Sequence, residues 1–416
     1  MMAAIERHYG VWLHEQRVGS ITLSEGIIRF QLDESYINNA NRAVLGLAFE
    51  DDLVAIHRSQ MRLPPWFSNL LPEGRLREWI AQSKGVSKNR ELDLLIKVGH
   101  DLPGAVRVAE AEIGQEIFVD ADRREVVADT GGDNNSKDIW RFSLAGVALK
   151  FSMLRAGERF TSPAIGEGGD WIVKLPYQEH QNVPLNEFSM MELARKVGIN
   201  VPEVRLVHRD QLIGIPDNLW PASEDMAYAI RRFDRTLSRG LVHIEDFAQV
   251  RSFYPGDKYK GNFETLAALI YRTYDVESLL EFSRRLAFNY VIGNGDAHLK
   301  NWSLIYTDPR RPILSPAYDL VATAIYRPLG KSENLGLKFA KSRRFESVTF
   351  GNFERLERKI NAVGVGLRDA AYEVIHKTLS SWPEIEESLK DSPWLQHEIK
   401  KGISVRTSAI LAAPKE

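Results

Sequence analysis

The sequence predicts an α+β fold in which a mixed β/α amino-terminal subdomain precedes a β-rich lobe and a mainly α-helical lobe. Three observations carry that expectation. Short apolar segments alternate near the start and give way to helical spacing. The stretch from Trp140 to Phe233 reads strand, glycine turn, strand, strand, helix, strand. From about Asp246 onward, apolar residues recur every three or four positions. At 416 residues the chain exceeds what one core usually serves, so two or three units of roughly 100 to 200 residues each are expected.

The elements follow in order. Apolar segments at Val11 to Leu13, Ile21 to Leu23 and Ile27 to Leu32, separated by Gln16-Arg17 and Glu25-Gly26, predict an antiparallel meander. Between Pro64 and Lys97, Trp66, Phe67, Leu70, Leu71, Leu76, Trp79, Ile80, Leu92, Leu94, Leu95 and Ile96 take helical spacing, divided by Pro72-Glu73-Gly74. Alternation resumes at Ala105, Val106 and Val108 and again at Ile117, Phe118 and Val119. The polar run TGGDNNSKD, residues 130 to 138, predicts a boundary near residue 135. The expected units are therefore 1 to 135, 136 to 240 and 241 to 416. In the second, Leu185, Phe188, Met191, Leu193, Ala194 and Val197 form the stripe of the clearest helix, with Asn186 as its cap and Gly198 and Pro202 closing it. In the third, a strand at Trp302 to Tyr306 and the Ile313-Leu314 pair interrupt the helices.

Composition narrows the function. The chain is 44% apolar and 26% charged with a formal net charge of -2, which gives no global attraction to nucleic acid. Without cysteine, structural disulfides and Cys-ligated zinc or iron-sulfur sites are excluded. The charges Glu6, Arg7, Glu15 and Arg17 interrupt any signal-peptide pattern, and no window reaches the roughly 20 apolar residues of a spanning helix. A cytoplasmic protein is expected.

The segment GNGDAHLKN, residues 293 to 301, places Asp296 five positions before Asn301, and Asp319 of PAYDL follows beyond an apolar strand. That layout is the one phosphoryl transfer needs. One carboxylate takes the proton of the attacking hydroxyl, while an amide oxygen and a second carboxylate hold Mg²⁺ against nucleotide phosphates. Lys174, in the apolar strand DWIVKLP, is expected to face inward beside Ile172, toward those phosphates. A buried lysine needs a carboxylate, and Glu187 in the first turn of the following helix is placed to form that ion pair. SLAGVALK, residues 143 to 150, supplies a glycine turn at Gly146, although it matches neither G-x-G-x-x-G nor the Walker loop. Each piece also has a plain structural reading: a snorkelling lysine, a helix-terminal carboxylate, an ordinary hairpin, a capping aspartate, a satisfied core histidine at His298. Their joint order instead favours a bilobal protein-kinase-like fold.

With these residues in hand, the sequence resembles the HipA-type serine/threonine kinases, toxins of bacterial HipA–HipB toxin–antitoxin pairs. The likeness runs nearly end to end, through WFSNLLPEG, LDLLIKVGHDLPGAV, RFSLAGVALKFSM, WIVKLP, NEFSMMELARKVGINVPEV, RRFDR, VIGNGDAHLKNWSLIY and LSPAYDL. The resemblance implies that Asp296 is the catalytic base and that Asn301 and Asp319 are the Mg²⁺ ligands. Lys174 and the loop Ala145, Gly146, Val147, Ala148, Leu149 and Lys150 would bind ATP phosphates. Arg231, Arg232 and Phe233 would form the interlobe strand beside adenine, with His298, Lys300 and Tyr318 also lining the nucleotide site. Ser143 matches the serine such kinases phosphorylate on themselves, which expels the loop and switches the enzyme off. Two departures stand out: Ala148 replaces the usual glutamine of the loop, and Arg231 replaces a glutamate common before Arg-Phe-Asp-Arg.

The resemblance also implies a protein substrate in the translation machinery, of the aminoacyl-tRNA synthetase class, and a role in persistence. The partner would be a HipB-like helix-turn-helix antitoxin bound to the first unit, with operator DNA reached through it. Two other readings of the residues are a catalytically silent kinase fold acting as a co-repressor and a small-molecule kinase.

Overall fold

The computed structural model describes residues 6–99, 101–110, 149–163, 168–215, 219–220, 224–328 and 332–413, with the backbone of 125–127. The amino-terminal unit is built on a sheet of β1 (Arg7–Leu13), β2 (Gln16–Ser24), β3 (Ile27–Leu32), β4 (Ile56–Gln60), β5 (Val106–Glu110) and β6 (Glu125–Val127), in the order β5-β1-β2-β3-β4-β6. The first three strands form the expected antiparallel meander. Glu25 and Gly26, both at positive φ (51° and 77°), make the two-residue turn that closes β2 on β3. Helices Pro65–Ser68, Gly74–Ser83 and Glu91–Val98 cover the sheet. Phe67 packs on Phe30 with ring centroids 4.6 Å apart, and Trp66 on Phe49 at 5.6 Å. The expected strand at Ile117 to Val119 and the boundary near 135 lie outside the described residues.

The second sheet joins β7 (Lys150–Ala156), β8 (Arg159–Thr161), β9 (Trp171–Lys174), β10 (Val204–His208), β11 (Leu212–Ile213) and β12 (Met226–Arg231) in the order β10-β12-β9-β7-β8-β11. Its helix runs from Val183 to Lys196. It starts earlier than the sequence suggested, because Pro184 suits a first turn where an N–H would go unpaired anyway. Asn182, at φ 61°, is the capping residue. Asn186 is instead a buried helical residue whose amide contacts Ala322 and Tyr326 of the third unit. Glu187 accordingly sits in the second turn rather than the first. Gly198, at φ 89°, ends the helix as expected.

The third unit is organised by helices Val276–Ile292, Leu367–Ser388 and Pro393–Ala412 and a small sheet of β13 (His243–Asp246), β14 (Ser303–Asp308) and β15 (Arg311–Leu314). The hairpin of β16 (Asn334–Phe339) and β17 (Ser342–Arg344) is not among the sequence expectations, although Leu335, Leu337 and Phe339 alternate at period two and are all buried; the run is short and lies among helical segments. Met190, Met191, Leu193 and Ala194 of the lobe helix share one apolar core with Phe282, Leu286 and Phe288. The lobes are thus packed as one body on that side. Among the described residues no helix is long and apolar enough to cross a membrane.

Two buried polar networks tie the amino-terminal unit to the others. In one, Glu245 of β13 accepts hydrogen bonds from the Leu47 N–H (3.0 Å), the Trp66 indole (3.2 Å) and the Tyr306 hydroxyl. Burial pushes its carboxyl up to about 7, opposed by those donors. A raised acid pKa contributes stability that is complete below the unfolded value near 4.5 and lost as pH rises through about 7. Glu245→Gln is therefore expected to gain on the parent by up to about 3 kcal/mol between pH 5 and pH 8. Urea midpoints measured across that range check this; a difference independent of pH would exclude it.

Candidate active site

The three units enclose a cavity of about 440 Å³ that contains Lys174, His298, Lys300, Asn301, Tyr318 and Asp319. The segment that carries Asp296 and Asn301 begins where the Val276–Ile292 helix stops at Gly293, whose φ of 73° turns the chain out of the helix. Asn294 then braces the segment. Its Oδ1 accepts from the Asp296 N–H at 3.0 Å, and its Nδ2 donates to the Asn289 Oδ1 at 2.7 Å and the Asp319 carbonyl at 3.1 Å. A Cβ on Gly336 would stand 2.5 Å from the Ala297 backbone, so β16 lies directly against this segment.

Asp296 is 5% exposed and accepts a hydrogen bond from the Tyr259 hydroxyl. The Asn301 Nδ2 donates to the Asp296 carbonyl at 2.9 Å, which leaves the Asn301 Oδ1 as that amide's acceptor. Across the cavity, Lys174 and Ile172 project from one face of β9 into it. The Lys174 Nζ is 2.7 Å from Glu187 Oε1 and also binds Asp319 Oδ1. Burial opposes the lysine charge, but Asp319 and Glu187 outweigh it and raise the ammonium above its ordinary range. Burial likewise opposes the Asp319 charge, yet Lys174 and then Lys150 hold that carboxyl at about 2. Glu187 is pushed up to about 7 by burial despite Lys174. Asp319 itself has φ 54°, an uncommon backbone for a residue other than glycine.

The remaining sequence-derived residues fall around this centre. His298 is 1% exposed, and neither ring nitrogen has a hydrogen-bond partner among the described residues. Burial, followed by Lys258, depresses its pKa well below the ordinary value, so the ring is neutral. The Tyr318 hydroxyl bonds Ser303 Oγ and donates to the Lys300 carbonyl at 2.9 Å, while its ring lies 5.5 Å from Phe233. Lys300 is held by groups within the protein. Its Nζ donates to the Asn69 carbonyl at 2.9 Å and lies 3.3 Å from Glu73 and 3.4 Å from Asp246. Arg232 is 8% exposed, with its guanidinium bound to Asp101 at 2.5 Å and Asp234 at 2.8 Å. Arg231 ends β12 opposite Trp171. Leu149 and Lys150 enter the second sheet beside β9, whereas Ser143, Ala145, Gly146, Val147 and Ala148 lie outside the described residues.

The sequence reading missed Tyr259, Lys258, Asn69, Glu73 and Asp246. Asn69 and Glu73 lie within WFSNLLPEG, noted only as part of the resemblance, and the DKYKG turn that holds Lys258 and Tyr259 has no periodicity to mark it. Lys258 donates to Glu73 Oε2 at 2.9 Å. Burial opposes the Glu73 charge, but Lys300 and then Lys258 hold its carboxyl at about 2.

A β-rich lobe and a helical lobe enclosing a lysine, a helix carboxylate and the Asp-x4-Asn segment define a protein-kinase-like fold. Family models agree over most of the chain: the HipA N-terminal domain matches residues 9–109 and the HipA-like C-terminal domain residues 142–384. The chain belongs to the HipA family of kinases. Y4dM of Sinorhizobium fredii, which carries a provisional kinase name, is 40% identical over 388 residues, covering 91% of this chain and 92% of that protein. The serine/threonine-protein kinase toxin HipA of Shewanella oneidensis is 29% identical over 293 residues, 62% of each chain. A solved structure titled as the Shewanella oneidensis MR-1 HipA, HipB and operator DNA complex superposes with a TM-score of 0.72 at 20% identity, covering 97% of both chains.

Proposed function

We propose that this protein is an ATP- and Mg²⁺-dependent serine/threonine kinase acting as the toxin of a HipA–HipB-type module. The observation that carries the reading is the convergence of Lys174, bound to Glu187 and Asp319, with Asp296 and Asn301 around one small pocket that shares Lys174, Asn301 and Asp319 with the larger cavity. In the reaction an acceptor hydroxyl oxygen forms a bond to the γ-phosphorus of ATP, the bond from that phosphorus to the β,γ-bridging oxygen breaks, and ADP departs. Asp296 takes the hydroxyl proton, held in place by Tyr259. Lys174 contacts the ATP phosphates, and Glu187 keeps its ammonium aimed into the cleft. Phe233 and Tyr318 offer apolar faces to adenine.

The donor set suits magnesium, which takes few protein ligands and keeps waters and phosphate oxygens. Asn301 through Oδ1 and the ionised Asp319 would hold it. Bound there, it neutralises charge on the phosphates.

A HipB-like helix-turn-helix antitoxin is the proposed partner of the amino-terminal unit, with operator DNA reached through it; the relative solved with HipB and operator DNA supports this. An aminoacyl-tRNA synthetase is the substrate class the resemblance implies, and Ser143 is the proposed self-phosphorylation site. Incubation of the purified protein with γ-labelled ATP, Mg²⁺ and a cell extract is expected to label proteins, including the enzyme itself. Ser143→Ala is expected to abolish self-labelling. Label confined to a small metabolite, or no label at all, would defeat the kinase assignment, and persistent self-labelling of the variant would discard Ser143.

A further inference from the structure

The cavity holds more positive charge than the expected site residues account for, and one carboxylate from the amino-terminal unit organises it. Glu73 caps the Gly74–Ser83 helix and uses its two oxygens on different lysines, Oε2 on Lys258 at 2.9 Å and Oε1 on Lys300 at 3.3 Å. Both lysines line the cavity. Lys258 is 7% exposed, and its carbonyl accepts from the Leu299 N–H at 3.0 Å, which ties it to the catalytic segment. The next residue, Tyr259, holds Asp296. Beside them, the His298 ring is buried, and neither nitrogen has a hydrogen-bond partner among the described residues. A buried polar ring without partners, next to a held ammonium, marks a place where a ligand supplies the missing hydrogen bonds.

The geometry points to Lys258 as a further catalytic residue, touching the phosphoryl group in transfer beside Asp296, and to Glu73 as the residue that positions it. The amino-terminal unit is on this view part of the active site, in addition to any contact with an antitoxin. A fixed ammonium counters charge that spreads over the phosphoryl oxygens as the bond to ADP breaks. Released from Glu73, Lys258 has a flexible four-carbon stem and samples other positions, which costs rate more than nucleotide binding.

The inference rests on the kinase reading, and the test separates the two. In the full-length protein, the rate of label transfer from γ-labelled ATP to extract protein is followed against ATP concentration. Glu73→Gln is expected to lower kcat by about 10- to 100-fold with KM for ATP within about threefold. Glu73→Asp should recover part of that loss. In a Lys258→Met background the Glu73→Gln change should cost less than about twofold, because the residue it positions is already gone. Losses that multiply instead, or a Glu73→Gln protein with parental kcat, overturn the inference while leaving the kinase standing. A parent protein that labels nothing removes the kinase reading and this inference together. Thermal midpoints and Mg²⁺-ATP affinity of each variant report on folding, and a loss of kcat that tracks loss of folded protein counts against positioning.

Discussion

Asp296→Asn is expected to lower phosphoryl transfer by about 10²- to 10⁴-fold, the range for loss of a general base, with Mg²⁺-ATP still bound. The amide keeps the size of the side chain and an oxygen to accept from the Tyr259 hydroxyl, so the segment keeps its shape. What disappears is the carboxylate proposed to receive the hydroxyl proton. Asp319→Ala is expected to behave differently. It removes one of the two proposed protein donors for the metal and one of the two carboxylates on Lys174, so Mg²⁺-ATP affinity should fall by at least about tenfold along with rate. Binding titrations and single-turnover transfer on both variants read the contrast. Equal loss of nucleotide affinity in the two would contradict the division between base and metal ligand.

Asp234→Ala should cost about 3–5 kcal/mol of stability, the range for removing one partner from a buried ion pair. Asp234 is 4% exposed, binds Arg232 at 2.8 Å and Arg235 at 2.9 Å, and accepts from the Gly104 N–H at 2.8 Å. Asp101 completes the network on the same two guanidinium groups. Removing Asp234 leaves two buried cations sharing one carboxylate. Both arginines also donate to the Leu102 carbonyl, so the loss should loosen the amino-terminal unit where it meets the segment that follows β12. Urea unfolding followed by tryptophan fluorescence measures the effect, and a midpoint equivalent to less than about 0.5 kcal/mol of change would rule out a structural role for this network.

Much of the site was readable because its residues fall in short local patterns. Asp296 and Asn301 are five apart on one segment, Lys174 sits in a four-residue apolar strand, and Glu187 lies on the helix whose stripe is the clearest in the chain. The order of those patterns also gave two lobes. Where the reading slipped, the competing influence was local. Proline at the helix start moved the cap from Asn186 to Asn182, and β16, which alternates at Leu335, Leu337 and Phe339, is only six residues long amid helical spacing.

The sequence by itself determined the family, the kinase-like fold and the order of the lobes, since these depend on residue type and on spacing within a few turns or one strand. Tertiary structure alone decided which distant groups complete the cavity. Glu73 reaches Lys258 across 185 positions, and Asp101 reaches Arg232 across 131. No periodicity encodes such pairs. A buried lysine or arginine must find an anion somewhere, and only the packing of the three units selects which carboxylate arrives.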